Sequence, residues 1–131
     1  MMNEAGNVGV TVSFLRKLRG WSQKELAEAA GLHQSLISLY ERGVECPTRG
    51  TLERLALAVG LPFAVVEEHL ALVRRARASL GKKLYANPDF VDVEAVVESV
   101  IQTLSEALAE VVRPAATELL ASAREGRTGP D

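Results

Sequence analysis

The sequence predicts an all-α protein, with five helices over residues 8–70, a further helical region over 71–125 and a tail over 126–131. Three observations carry this. Hydrophobic residues make up 47% of the 131 positions but aromatics only 5%, and Ala, Leu, Val, Glu and Arg dominate, a mixture that favours helix. Apolar side chains recur at spacings of three and four, and no segment alternates as a strand does. Helix caps punctuate the first half, with Ser22 and Thr48 at starts and Gly31, Gly43 and Gly60 at stops.

Val8, Val12, Leu15 and Leu18 mark a first helix ending near Arg19 and Gly20. Ser22 and Glu25 form a capping box, in which each side chain reaches the other residue's backbone N–H. The helix that follows carries Leu26, Ala27 and Ala30 and stops at Gly31. A third helix runs from about Gln34 to Arg42 and a fourth from Thr48, with Leu52, Leu55, Ala56 and Val59 on its apolar face. Pro62 suits the first position of a fifth helix. That helix is either continuous to Leu80 or broken near Ala71; the pattern allows both.

Gly81 to Asn87 reads as a linker, and Asn87-Pro88 as the start of the next helix. Pro114 is expected to end or kink that helix, leaving a short last one with Ala115, Leu119 and Leu120. Between them Val93, Val97, Val100, Leu104, Ala107 and Val111 form a seam at coiled-coil spacing, widened by Val96, Ile101, Leu108 and Val112, with Leu108 also among the expected dimer contacts. Because the first five helices read as closed on themselves, with no large apolar face to spare, the seam predicts a homodimer. The alternative is a monomer whose C-terminal helices fold back on the fifth helix.

The net charge of −2 is unusual for a nucleic-acid binder, but its distribution matters more than the sum. Arg74, Arg75, Arg77, Lys82 and Lys83 crowd one segment, while every charge from Ala86 to Val112 is acidic. The basic run reads as a solvated face or as a partner for the acidic helix. No apolar run approaches the ~18 residues of a membrane span, and the first residues lack the basic and apolar regions of a secretory signal. With a single cysteine, Cys46, this points to the cytoplasm. No glycine-rich phosphate loop, nucleophile elbow or metal-ligand spacing occurs, so neither an enzyme, a cofactor nor a metal site is expected.

The arrangement that carries function is short helix, tight turn, short helix: Gln23 to Ala30, then Gly31-Leu32-His33, then Gln34 to Arg42. This geometry lets one helix enter the major groove while the other braces it across the backbone. Ala27 and Ala30 are small enough for the helices to cross closely, and Leu26, Leu32 and Ile37 fill the space between them. The run Leu15-Arg16-Lys17-Leu18-Arg19-Gly20-Trp21-Ser22-Gln23-Lys24-Glu25-Leu26-Ala27, then Gly31-Leu32, Ile37-Ser38, Glu41-Arg42-Gly43, Pro47, Leu52 and Leu55-Ala56 before Gly60, resembles the lambda-repressor and Cro-like (XRE) helix-turn-helix family. The likeness spans about residues 8–70 without gaps.

The resemblance implies a five-helix DNA-binding domain that regulates transcription, usually as a dimer on a palindromic site. It implies base contacts from Gln34, Ser35, Ser38 and Leu39, phosphate contacts from Gln23, Arg42 and Arg49, and a salt bridge between Arg16 and Glu41. Glutamine suits adenine, and Leu39 a thymine methyl. Two departures stand out. The loop after Gly43, often basic in the family, reads Val44-Glu45-Cys46, and position 49, usually apolar, is Arg49. Both depart from the family's pattern of backbone contacts in that loop, and the loss of its basic residues implies weaker non-specific affinity, since fewer counterions are released. The rival expectation is a helix-turn-helix protein-interaction module, antitoxin-like or adaptor, that binds a partner through the C-terminal helices. Trp21 is expected to pack between the first two helices and His33 to lie at a helix cap or near a phosphate, and Cys46 has little to favour a redox role.

Overall fold

The computed structural model describes residues 4–86 and 92–127. They form α1 (Glu4–Leu18), α2 (Gln23–Ala30), α3 (Gln34–Glu41), α4 (Arg49–Val59), α5 (Phe63–Tyr85) and α6 (Val93–Arg127), with no strand among the described residues. Ser22 and Glu25 make the capping box at α2, and the Thr48 hydroxyl accepts the Thr51 N–H at α4. α5 is continuous over 23 residues.

Several boundaries differ from the sequence reading, among them the expected linker from Gly81 to Asn87, whose residues Gly81 to Tyr85 continue α5 as helix. α1 begins at Glu4, ahead of residue 8. The expected start at Asn87-Pro88 lies outside the described residues; the described helix begins at Val93, where the Asp92 carboxylate accepts the Ala95 N–H at 3.0 Å. Pro114 neither ends α6 nor starts a separate short helix, and α6 continues through Gly126 to Arg127, into the expected tail. A proline removes one backbone donor and crowds the preceding turn. Here Ala109 before it and Ala116 after it are both buried in one cluster with Phe14 and Leu18 of α1, so packing on both sides of the proline offsets its cost and the helix continues.

The main core lies inside the first five helices, where Val12, Leu15, Leu26, Ile37, Leu55, Val59 and Val66 are fully buried. The sequence reading that this domain has no apolar face to spare is overturned. α1 is apolar on two sides. Val8, Val12 and Leu15 enter the main core, while Val10, Phe14 and Leu18 face α6. Val10 and Val73 of α5 pack with Val93, Val97 and Ile101. Full burial of each such side chain is worth about 1.5–3 kcal/mol, enough to hold α6 against the domain within one chain.

α6 runs parallel to α1. Val10 meets Val93, Val97 and Ile101, Phe14 and Leu18 meet Ala109, and Arg113 lies against Gly20. Polar contacts fix the register. Arg77 of α5 donates to Asn7 of α1 and Glu98 of α6, both at 2.5 Å, and Lys17 pairs with Glu106 at 2.9 Å. The basic segment of α5 therefore does partner the acidic helix, through Arg77. Arg74 turns instead to Glu4.

At the centre of this joint sits His69, stacked on Phe14 with ring centroids 4.0 Å apart. Its Nδ1 lies 2.8 Å from the Thr11 hydroxyl of α1 and its Nε2 3.3 Å from the Ser105 hydroxyl of α6. Burial pulls its pKa down from 6.5 to about 4, so the ring is neutral at pH 7 and bridges two hydroxyls. The unfolded chain takes up a proton near pH 6.5 and the folded chain only near 4. The stability held above pH 6.5 is therefore lost as the pH falls toward 4. Chemical denaturation at pH 7 and 4.5 is expected to show about 2–3 kcal/mol more loss in the wild type than in His69→Gln. An equal loss in both proteins would show that His69 does not carry the acid sensitivity.

Candidate nucleic-acid interface

The candidate interface is built on α2, the turn after it and α3. Gly31 makes the corner in a left-handed conformation, φ 69°, and its N–H bonds back to the Ala27 and Glu28 carbonyls. A side chain there would be strained in that backbone, which is why glycine serves. Leu26, Ala27 and Ala30 of α2 and Ile37 and Tyr40 of α3 are buried between the helices, with Leu32 partly so, and Leu52, Leu55 and Ala56 of α4 lie in the same cluster. Arg54 of α4 donates to the Gly31 carbonyl at 3.3 Å and braces the corner from outside.

This packing leaves the first turn of α3 outward. Gln34 and Ser35 are exposed, while Ser38, one turn on, and Leu39 are half-buried. Leu39 also accepts the Val44 and Glu45 N–H groups at its carbonyl, which folds the loop back on the end of α3. His33 stands at the α3 N-cap and makes no side-chain cap bond, unlike Ser22 and Thr48 at the starts of α2 and α4. An uncapped helix start presents backbone donors and the positive end of the helix dipole, which suits a phosphate. The sequence signal for this was the histidine itself, a poor cap residue standing where serine or threonine would satisfy the N–H groups.

The pose of α3 is set by α1. Arg16 donates from Nε and Nη2 to the two Glu41 oxygens at 2.7 and 2.9 Å, and from Nη1 to the Trp21 carbonyl at 2.9 Å. Side-chain exposures of 16% for Arg16 and 9% for Glu41 make this a largely buried, bidentate pair. Gln23 joins the same network, its Nε2 donating to Glu41 at 3.3 Å. The second hydrogen of that amide stays available for a phosphate. Gly9 lies where α1 crosses the end of α3, and a Cβ there would overlap the Tyr40 carbonyl oxygen. The sequence reading did not single out Gly9; only its position on a long helix otherwise free of reasons for glycine marks it.

The expected phosphate contacts divide. Arg42 is exposed at the α3 C-cap. Arg49 is exposed too, but it bonds Glu53 at 3.0 Å, approaches Glu67 at 4.0 Å and stacks 4.7 Å over the Phe63 ring. It acts as a clasp between α4 and α5, because Glu53 lies one turn away and Phe63 opens the next helix. Trp21 is half-buried against the main core, with the Arg19 guanidinium 4.8 Å over its ring. Cys46 is exposed, and partial desolvation, then the Glu4 charge, push its thiol pKa up, the wrong direction for a reactive thiolate. Among the described residues no group of three or more His, Cys, Asp or Glu comes together to hold a metal ion.

The seam residues also divide. Val93 and Val97 are buried within the chain, Val100 and Leu108 are half-buried, and Leu104 and Val111 are 56% and 77% exposed.

Comparison with known proteins agrees with this geometry. Residues 13–66 match a family model described as Helix-turn-helix, in line with the helix, turn and helix formed by α2 and α3. The chain is 38% identical over 64 residues to the HTH-type transcriptional regulator SutR of Escherichia coli, covering 49% of this chain and 36% of that protein. It is 32% identical over 76 residues to the immunity repressor protein of Bacillus phage phi105, 58% of this chain and 53% of the repressor. It is 29% identical over 82 residues to an uncharacterized HTH-type transcriptional regulator of Mycobacterium bovis, 63% of this chain and 32% of that one. The chain thus spans between about a third and a half of the length of these relatives. No solved structure matches it.

Proposed function

We propose that this protein is a sequence-specific DNA-binding transcriptional regulator of the cytoplasm, which reads the major groove with α3 as a homodimer on a palindromic site. The observation that carries the reading is the outward, uncapped first turn of α3, with Gln34 and Ser35 exposed while the rest of the helix is clamped by α1, α2 and α4. In this reading Gln34, Ser35 and Ser38 contact bases, with Leu39 at the edge of the surface, and Gln23 and Arg42 contact phosphates. Arg49 reaches a phosphate only by leaving its two carboxylates. The names of the relatives, transcriptional regulators and a repressor, support the same assignment.

The partner helix in the dimer is α6, through the part of the seam left outside: Val100, Leu104, Leu108 and Val111. Two such chains present two α3 helices, which can read half-sites about 34–36 Å apart. A second reading, a protein-interaction module on a helix-turn-helix scaffold, rests on the same exposed Leu104 and Val111 and requires no DNA.

Selection of bound fragments from genomic DNA gives the site, and two measurements then test the proposal. On the selected site Gln34→Ala is expected to lose about 1–3 kcal/mol of affinity, with little change on random DNA. Equal losses on both would remove Gln34 as a base reader, and a wild-type chain that enriches no fragment would favour the interaction module. Light scattering at micromolar concentration is expected to give twice the chain mass, and the Leu104→Glu, Val111→Glu double variant a single chain mass. A monomeric wild type would refute the dimer.

A further inference from the structure

We infer that Arg113 of the C-terminal helix is a DNA phosphate contact, so that α6 forms part of the DNA-binding surface; this rests on the DNA-binding reading above. The parallel course of α6 along α1 places it there. α1 ends at Leu18, and the turn Arg19 to Ser22 leads directly into Gln23. Arg113 lies against that turn, its Nη1 3.4 Å from where a Gly20 Cβ would stand. Gly20 and Gln23 are three positions apart, so their Cα atoms are separated by at most about 11 Å. A backbone that touches Gln23 therefore passes the Arg113 side chain. Beyond it α6 continues from Pro114 to Arg127, about 21 Å of helix.

Charge at the turn fits the same role. Lys17, Gly20, Trp21, Glu106, Glu110 and Arg113 line a groove of about 440 Å³ there. Lys17 is committed to Glu106 at 2.9 Å. Among the described residues Arg113 has only a loose bond to Glu110 at 3.4 Å, and its side chain is 41% exposed. A guanidinium carries five N–H donors, so most of this one's capacity is unspent. Arg19, over the ring of Trp21 in the groove lining, adds a further positive charge at the turn. Exposed pairs such as Arg113 with Glu110 are worth little, so a phosphate can displace the carboxylate. Glu110 then acts against binding, and this one helix supplies both the contact and a negative charge that weakens it.

The test uses the full chain and a random-sequence 30-base-pair duplex, with affinity followed by fluorescence anisotropy from 50 to 200 mM NaCl. One lost phosphate contact flattens the slope of log affinity against log salt by about 0.9, equivalent to about eightfold weaker binding at 0.1 M salt. Arg113→Gln is expected to show that change, Arg113→Lys to keep the wild-type slope, and Glu110→Gln to bind more tightly than wild type. A wild-type slope in Arg113→Gln overturns the inference, whatever its affinity. So does a flattened slope in Arg113→Lys as well, which assigns Arg113 a structural role. Arg42→Gln serves as reference: a flattened slope there with none in Arg113→Gln overturns only the place of Arg113. A wild-type chain that binds no duplex overturns this inference together with the DNA-binding reading.

Discussion

The structure depends on the crossing of α1 over the end of α3. Gly9 lets the backbones meet, because any side chain at that position would collide with the Tyr40 carbonyl. Arg16 then ties the two helices with two bonds to Glu41, both largely out of water. Removing one member of such a pair strands a buried charge, whereas the pair itself contributes little more than a well-packed apolar substitute. Its value lies in geometry. Glu41 closes α3 and also holds Gln23 at the start of α2, so one carboxylate fixes the relative positions of both helices that face the candidate DNA surface.

α1 reaches in two directions from this crossing. Its inner side completes the helix-turn-helix core, and its outer side, with Val10, Phe14 and Leu18, takes the C-terminal helix. His69 joins both sides with neutral hydrogen bonds to Thr11 and Ser105, which demand one register of α6 where apolar packing alone tolerates several. The C-terminal helix is therefore a sixth element of one body. That placement brings Arg113 to the turn before α2 and leaves Leu104 and Val111 facing outward.

Much of the first half was legible in the sequence because local and tertiary signals agree there. The Ser22 capping box, the glycine at position 31, and the apolar positions Leu26, Ile37, Leu52 and Leu55 each specify the same helices that the core requires. The pairing of Arg16 with Glu41 was readable only through family resemblance, since 25 positions separate them. The second half misled for physical reasons. The seam from Val93 to Val111 is apolar over more than one face, and spacing alone does not say whether the partner is another chain or α1. Val10 and Phe14, four apart on α1, were the missing half of that interface. Pro114 looked like a helix end because local cost is visible in sequence and the compensating burial of Ala109 and Ala116 is not. In the first half, the stacking of Arg49 on Phe63 was not legible, because Phe63 lies across a turn in the next helix.

The claim that the α1–α3 lock sets the reading surface is most directly tested by a double-mutant cycle on Arg16 and Glu41, followed by thermal and chemical unfolding. Glu41→Ala alone is expected to cost about 3–5 kcal/mol, because Arg16 is left charged and largely buried, and the double variant Arg16→Met with Glu41→Leu to cost clearly less. Unfolding of Glu41→Ala within error of the wild type, or a double variant as damaged as the sum of its single changes, would contradict the account.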